Sequence, residues 1–292
     1  MSHKRRVGFI GLGDIGRPMA KHLVCEEFDA YVFDLVPAAL EELKAAGAHA
    51  CSSVAELAAH CDCIGICVRD DAQVESILQG TEGVLAHAKP GTTILIHSTV
   101  TQANLLGWAA QAHEAGLVLL DAPITGGAGK AQEGTLCYMV GGTEADVAAV
   151  TPVLQTSAEK IVHAGALGAG IALKLCNNYI QYTEFVALAE AARLADACGL
   201  SLDVIREVGL ANGVVNPQMH QFVSGRNALA PGCSDEEMQA FFGGFAALAR
   251  KDLDCALATA SHKGVSMPTA EFIRDRIEAV FLARDESRPP PQ

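Results

Sequence analysis

Nowhere in its 292 residues does the chain hold an apolar run of about 18 residues, the length a membrane-spanning helix needs. It is also short of basic residues: 21 Lys and Arg face 34 Asp and Glu, a formal net charge of -13. Nucleic-acid affinity rests on neutralising backbone phosphates, so this balance excludes a phosphate-backbone binder. Neither a nucleic-acid nor a membrane partner is expected, and any anionic ligand must be held by local geometry against the overall field. No Cys-x-x-Cys pair occurs among the ten cysteines, and several lie in apolar runs, as in Cys61-Asp-Cys63-Ile-Gly-Ile-Cys67. That pattern points to reduced core thiols, with no disulfide framework and no metal site. No repeat of solenoid or propeller period is present. The opening MSHKRRVGFIGLGDIG pairs basic residues with an apolar run, but Asp14 interrupts it and no small-x-small cleavage site follows. A soluble, cytoplasmic protein is therefore expected.

What is there is apolar and ordered. Half of the residues are hydrophobic and 19% are charged, enough for a large core and against disorder except at the ends. Residues 7–10, 30–34, 63–68, 93–97, 117–121 and 160–163 read as strands, with helical patterns between them. Ser53-Val-Ala-Glu56 reads as a capping box. Strand–helix alternation of this kind predicts an α/β domain with a doubly wound parallel sheet. A long helix is predicted over about 168–198, where Leu175, Tyr179, Tyr182, Val186 and Ala189 form an apolar stripe. Further helices are predicted over 202–210, 234–242, 245–262 and 268–283, and no strand after residue 163. The expected division is 1–164 for the α/β domain and 165–292 for an all-α domain, with a polar, proline-rich, frayed tail at about 285–292.

Gly11-Leu12-Gly13-Asp14-Ile15-Gly16 fits G-x-G-x-x-G between a strand and a helix, the context a dinucleotide-binding loop requires. Gly11 permits the tight turn, Gly13 lets backbone approach a pyrophosphate, and Gly16 allows close helix packing. A helix N-terminus then meets the diphosphate, so binding needs no basic patch. Asp34 closes the second strand, where a carboxylate accepts from ribose hydroxyls and repels a 2′-phosphate. Leu35, Val36 and Pro37 follow it without a cation, which favours NAD over NADP.

Three further segments end strands or open the long helix. His97-Ser98-Thr99-Val100 presents two hydroxyls that could equally cap the next helix, and Asp121-Ala-Pro-Ile-Thr125-Gly126-Gly127 is either a tight turn or a small anion nest. Gly170, Lys174, Asn178 and Tyr182 form one i, i+4 row, which leaves Lys174 either facing a ligand or solvated. Lys251-Asp252 reads as an ordinary surface pair or as part of a site.

In order, GFIGLGDIGRPMAKHL, HSTV, DAPITGGAGKAQEGTLCYMVGG, GAGIALKLCNN and ARKDLDCALATASHKGVSMP resemble the β-hydroxyacid dehydrogenase family. That family includes 3-hydroxyisobutyrate dehydrogenase and tartronate semialdehyde reductase. The resemblance implies a Rossmann-type domain followed by an all-α domain, joined by a long interdomain helix, with a homodimer or homotetramer formed through the helical part. It implies Lys174 as the catalytic lysine and a substrate site of Ser98, Thr125, Gly126, Gly127, Lys174 and Asn178. The cofactor would meet Gly11, Leu12, Gly13, Asp14, Ile15, Gly16, Asp34, Val68, Arg69, Thr99 and Lys251. The substrate would be a small anionic hydroxy acid or semialdehyde. Thr125 replaces the family's serine, while Lys130 and Arg69 stand where smaller residues are usual and could face an anionic group. The expected reaction is NAD-dependent hydride transfer with Lys174 as general acid/base. An NADPH-dependent imine reductase-like enzyme and a catalytically silent dinucleotide-binding protein are the alternatives.

Overall fold

The computed structural model describes residues 4–284, and the tail expected at about 285–292 lies outside them. Six parallel strands form the body of a sheet: β1 (Arg5–Ile10), β2 (Phe28–Phe33), β3 (His49–Ala50), β4 (Cys63–Ile66), β5 (Thr93–Ile96) and β6 (Val118–Asp121). Their order is β3-β2-β1-β4-β5-β6. The order reverses between β1 and β4, and open α/β sheets bind ligands at the carboxyl ends beside such a reversal. Helices α1 (Gly16–His22), α2 (Pro37–Ala46), α3 (Val54–His60), α4 (Asp71–Leu78), α5 (Val84–His87) and α6 (Gln102–Glu114) connect them. Strands covered on both faces read as continuous apolar runs, and every residue of β4 is buried.

The doubly wound parallel sheet is extended by a segment that the sequence pattern did not separate. β7 (Ile124–Thr125) and β8 (Leu136–Gly141) pair antiparallel, β8 also meets β6 antiparallel, and β9 (Ala158–Gly165) joins β8 in parallel. α7 (Gly127–Glu133) and α8 (Glu144–Gln155) lie between these strands. A short apolar run such as residues 136–141 fits a buried strand or a buried helix equally well. Ser53 opens α3 with half of the expected capping box. Its hydroxyl accepts from Glu56 N, but the Glu56 carboxylate accepts from Ser52 N and Oγ at 2.7 and 2.6 Å.

The remaining elements are helices: α9 (Ala169–Ala197), α10 (Leu202–Asn212), α11 (Pro217–Leu229), α12 (Asp235–His262) and α13 (Pro268–Phe281). The helices expected at 234–242 and 245–262 are one. A complete capping box of Ser234 and Glu237 opens α12, and Gln239 fills the space a side chain would take at Gly243. From Tyr179 onward the stripe of α9 packs with α11, α12 and α13 around Phe185, Met219, Leu253 and Phe281, and the Phe185 and Phe222 rings stack at 4.3 Å. No helix among the described residues is long and apolar enough to cross a membrane. Among the described residues the ten cysteines are thiols outside any disulfide. Burial pushes the Cys63 thiol up to about 11 and Cys67 to about 12, which keeps both unreactive.

The chain divides into two compact units between Lys174 and Leu175, inside α9. The first unit thus continues past residue 164, because the opening of α9 is bonded into the sheet.

Candidate functional site

In the first unit, the glycine loop follows β1. Gly11 has φ +94°, and a Cβ there would lie 2.2 Å from Cys67 O and 2.8 Å from a Val68 methyl. At Gly16 a Cβ would lie 2.0 Å from Gly11 O, so α1 packs directly on the loop. Gly13 is exposed with no atom within 4 Å of a built Cβ, which leaves backbone open to a ligand. These are the three conditions a pyrophosphate-binding turn imposes. Asp34 stands beside it with both carboxylate oxygens accepting from backbone, Leu12 N at 2.6 Å and Val36 N at 2.7 Å. The Leu12 side chain is buried in the core, so what that residue presents at the loop is the backbone N–H that Asp34 accepts. Asp14 is exposed, Ile15 precedes the first residue of α1, and Leu35 and Val36 after Asp34 are exposed apolar residues.

At the next strand ends, the Ser98 hydroxyl accepts from Val68 N at 2.9 Å and donates to Val68 O at 2.8 Å. It thereby ties the end of β5 to the end of β4, while Thr101 caps α6. Thr99 is half-buried and Arg69 is exposed, its N–H donating to Gln73 Oε1. Thr125 lies in β7, and Gly126 and Gly127, at φ +132° and +73°, turn the chain into α7. The Lys130 ammonium pairs with Glu159 at 3.3 Å on the surface.

Residues on the sheet also hold the opening of α9. Asp121, fully buried at the end of β6, accepts from Gly168 N at 2.8 Å and Ile171 N at 2.7 Å. Burial pushes its carboxyl above the usual range, while those N–H bonds pull it back. Lys174, half-buried, follows one turn after Gly170 in the row that continues to Asn178 and Tyr182.

The second unit holds its own polar cluster. Asp252, 2% exposed, accepts from Asn178 Nδ2 at 2.7 Å and from Tyr182 OH at 3.0 Å. The Lys251 ammonium lies 2.8 Å from the other Asp252 oxygen. Asn177 donates to Asn178 Oδ1, so the Asn178 amide is oriented from both ends. Burial and the neighbouring Asp252 carboxylate push the Tyr182 hydroxyl well up. Lys251-Asp252 is therefore no ordinary surface pair. The centring of this cluster on Asp252, and the anchoring by Asp121, went unassigned in the sequence. For Asp121 a signal existed: a carboxylate closes an otherwise apolar strand.

Residues 6–165 match the family described as the NAD binding domain of 6-phosphogluconate dehydrogenase. Residues 168–287 match the NAD-binding family of NADP-dependent 3-hydroxyisobutyrate dehydrogenase. The chain is 36% identical to 2-(hydroxymethyl)glutarate dehydrogenase of Eubacterium barkeri, over 98% of this chain and 93% of that one. It is 34% identical to NAD-dependent L-serine dehydrogenase of Pseudomonas aeruginosa, over 90% and 88% respectively. A solved structure of Mycobacterium tuberculosis 3-hydroxyisobutyrate dehydrogenase with L-serine superimposes with a TM-score of 0.83 at 29% identity, covering 97% of this chain and all of that one. Imine reductases share the fold at 16–18% identity, a likeness of fold alone. With both halves matched in order and relatives aligned over nearly the whole length, the chain belongs to the β-hydroxyacid dehydrogenase family.

Proposed function

We propose that the enzyme interconverts a small β-hydroxy acid and its semialdehyde or oxo acid, with NAD and with Lys174 as general acid/base. The observation that carries this reading is the α9 row, in which a half-buried lysine precedes by one turn an asparagine whose amide is oriented from both ends. NAD, when bound, accepts the hydride of the carbinol carbon. Lys174 takes the hydroxyl proton in oxidation and returns it in reduction. The ammonium form offsets negative charge that develops on the alcohol oxygen. Thr125, with the backbone of Gly126 and Gly127, receives the substrate carboxylate, and Asn178 aligns the carbinol. Ser98 sets the backbone of Val68 beside the dinucleotide loop, with Arg69 and Thr99 adjoining, and Lys251 supplies a cation toward the cofactor.

NAD is favoured over NADP by Asp34, whose carboxylate is clamped by two amides and cannot swing away from a 2′-phosphate. The helical unit exposes Ile180, Leu194, Val208, Phe241 and Phe245, which supports a homodimer or homotetramer. Sedimentation at micromolar concentration decides between them.

Two relatives are tied by name to serine, so L-serine leads a substrate panel with 3-hydroxyisobutyrate, glycerate, 3-hydroxypropionate and 4-hydroxybutyrate, each assayed with NAD⁺ and NADP⁺. On the best substrate, Lys174→Ala is expected to lower kcat by about a hundredfold or more, with NADH affinity within about threefold. Near-native turnover in that variant removes Lys174 from the chemistry. A clear preference for NADP⁺ overturns the reading of Asp34.

A further inference from the structure

The carboxylate that opens α9 is not part of the glycine loop, the strand-end hydroxyls or the lysine row. Asp121 is fully buried, and each of its oxygens accepts from one backbone amide at the start of the helix, Gly168 N and Ile171 N. Ile171 lies three residues before Lys174, on the turn that leads into it. The packing around this carboxylate leaves no slack. A Cβ at Gly170 would lie 2.3 Å from Met139 O and 2.9 Å from Asp121 Oδ2. A Cβ at Gly141 would lie 2.3 Å from Asp121 Oδ1. Gln102 adds a third tie, its amide donating to Gly168 O at 3.0 Å. First-turn amides of a helix have no partner within the helix, and most helices satisfy them with a local cap or water. Here a strand from the middle of the sheet supplies the acceptor, so the helix start is referenced to the sheet itself.

We propose that Asp121 is a positioning residue for the reaction: by clamping the first turn of α9 to the sheet, it fixes where Lys174 stands. This rests on the reading of Lys174 as general acid/base. Asp121 touches neither substrate nor cofactor and acts only through the lysine. Positioning of this kind is worth a great deal in rate, because proton transfer requires the base within hydrogen-bond reach of the hydroxyl.

The test is a double-mutant cycle of Asp121→Asn and Lys174→Ala, measured as kcat, KM and NADH affinity by fluorescence titration. The asparagine keeps one acceptor but turns an N–H donor toward an amide, so the clamp is half lost at constant volume. In the enzyme that retains Lys174, Asp121→Asn is expected to lower kcat about tenfold or more, with NADH affinity within about twofold. In the Lys174→Ala background the same substitution is expected to change the residual rate, or the rate rescued by an added alkylamine, by less than about twofold. Equal losses in both backgrounds show a general structural role and overturn the proposal, as does an unchanged kcat in the first background. Should Lys174→Ala alone retain near-native turnover, the function of the lysine falls, a result distinct from either of these. If Asp121→Asn does not fold, Gly170→Ala presses on the same carboxylate from the helix side and enters the same cycle with the same criteria.

Discussion

The two units hold their polar groups in opposite ways. In the first, the side chains that matter are bonded to backbone: Asp34 to Leu12 N and Val36 N, Ser98 to both polar groups of Val68, Asp121 to Gly168 N and Ile171 N. In the second, they are bonded to each other, with Asn178, Tyr182 and Lys251 converging on one buried carboxylate. A backbone-referenced group loses its place only if the chain moves. A hub of side chains loosens as a whole when its centre is removed, because the buried Asn178 and Tyr182 donors lose the acceptor they share. The largest expected effect therefore lies at the hub. Asp252→Ala is expected to cost roughly 3–5 kcal/mol in urea unfolding, the range for breaking a buried charge pair. Ser98→Ala removes two bonds of one hydroxyl to a single residue and is expected to cost about 1–2 kcal/mol. Equal losses for the two substitutions would break the contrast.

The same contrast explains what could be read in advance. The glycine loop was legible because a tight turn, an open approach and a helix contact each demand glycine at a fixed local spacing. Asp34 was legible from its place at the end of the second strand, and the stripe of α9 from its 3.6-residue period. The hub was not, since Asn178 and Asp252 are 74 residues apart and nothing local to Lys251-Asp252 distinguishes a buried carboxylate from a solvated one. Ser98 was legible as a strand-end hydroxyl but not as a brace for the neighbouring strand. Asp121 was visible only as the last letter of an apolar run, and its partners lie across the whole span from β6 to α9. β8 escaped for a different reason: apolar character without a period does not choose between strand and helix.

An intermediate effect concerns the first unit alone. His97, buried at the end of β5, stacks on Phe9 at 5.7 Å, with its Nδ1 2.9 Å from Ala122 O. Burial pulls its titration down from 6.5 to about 4, against a smaller opposing effect of the Ala122 bond. A group depressed in the folded state contributes stability that is fully present above its unfolded value. That contribution is lost as pH falls from about 6.5 through about 4. Over that window the loss amounts to about 3 kcal/mol. Urea midpoints of the native enzyme are expected to fall across this range more steeply than those of His97→Phe, which retains the ring but not the titration. Identical slopes for the two proteins would remove His97 from the acid response.

The smallest expected effect tests the contrast where it is weakest, on the surface of the first unit. Lys130 pairs with Glu159 through side chains alone, as in the hub, but at 52% and 64% side-chain exposure instead of in a dry interior. An exposed pair is screened and costs side-chain entropy to hold, so Lys130→Ala is expected to change stability by less than about 0.5 kcal/mol. Bonding between side chains matters at Asp252 because of burial, and at Lys130 burial is missing. The substrate KM separates two roles for this residue. A KM within about twofold of native leaves Lys130 as a solvated charge on α7, with the carboxylate left to Thr125 and its glycines. A KM raised about tenfold at unchanged stability means that the substrate carboxylate draws Lys130 away from Glu159, and the backbone-held site of the first unit then recruits one mobile cation of its own.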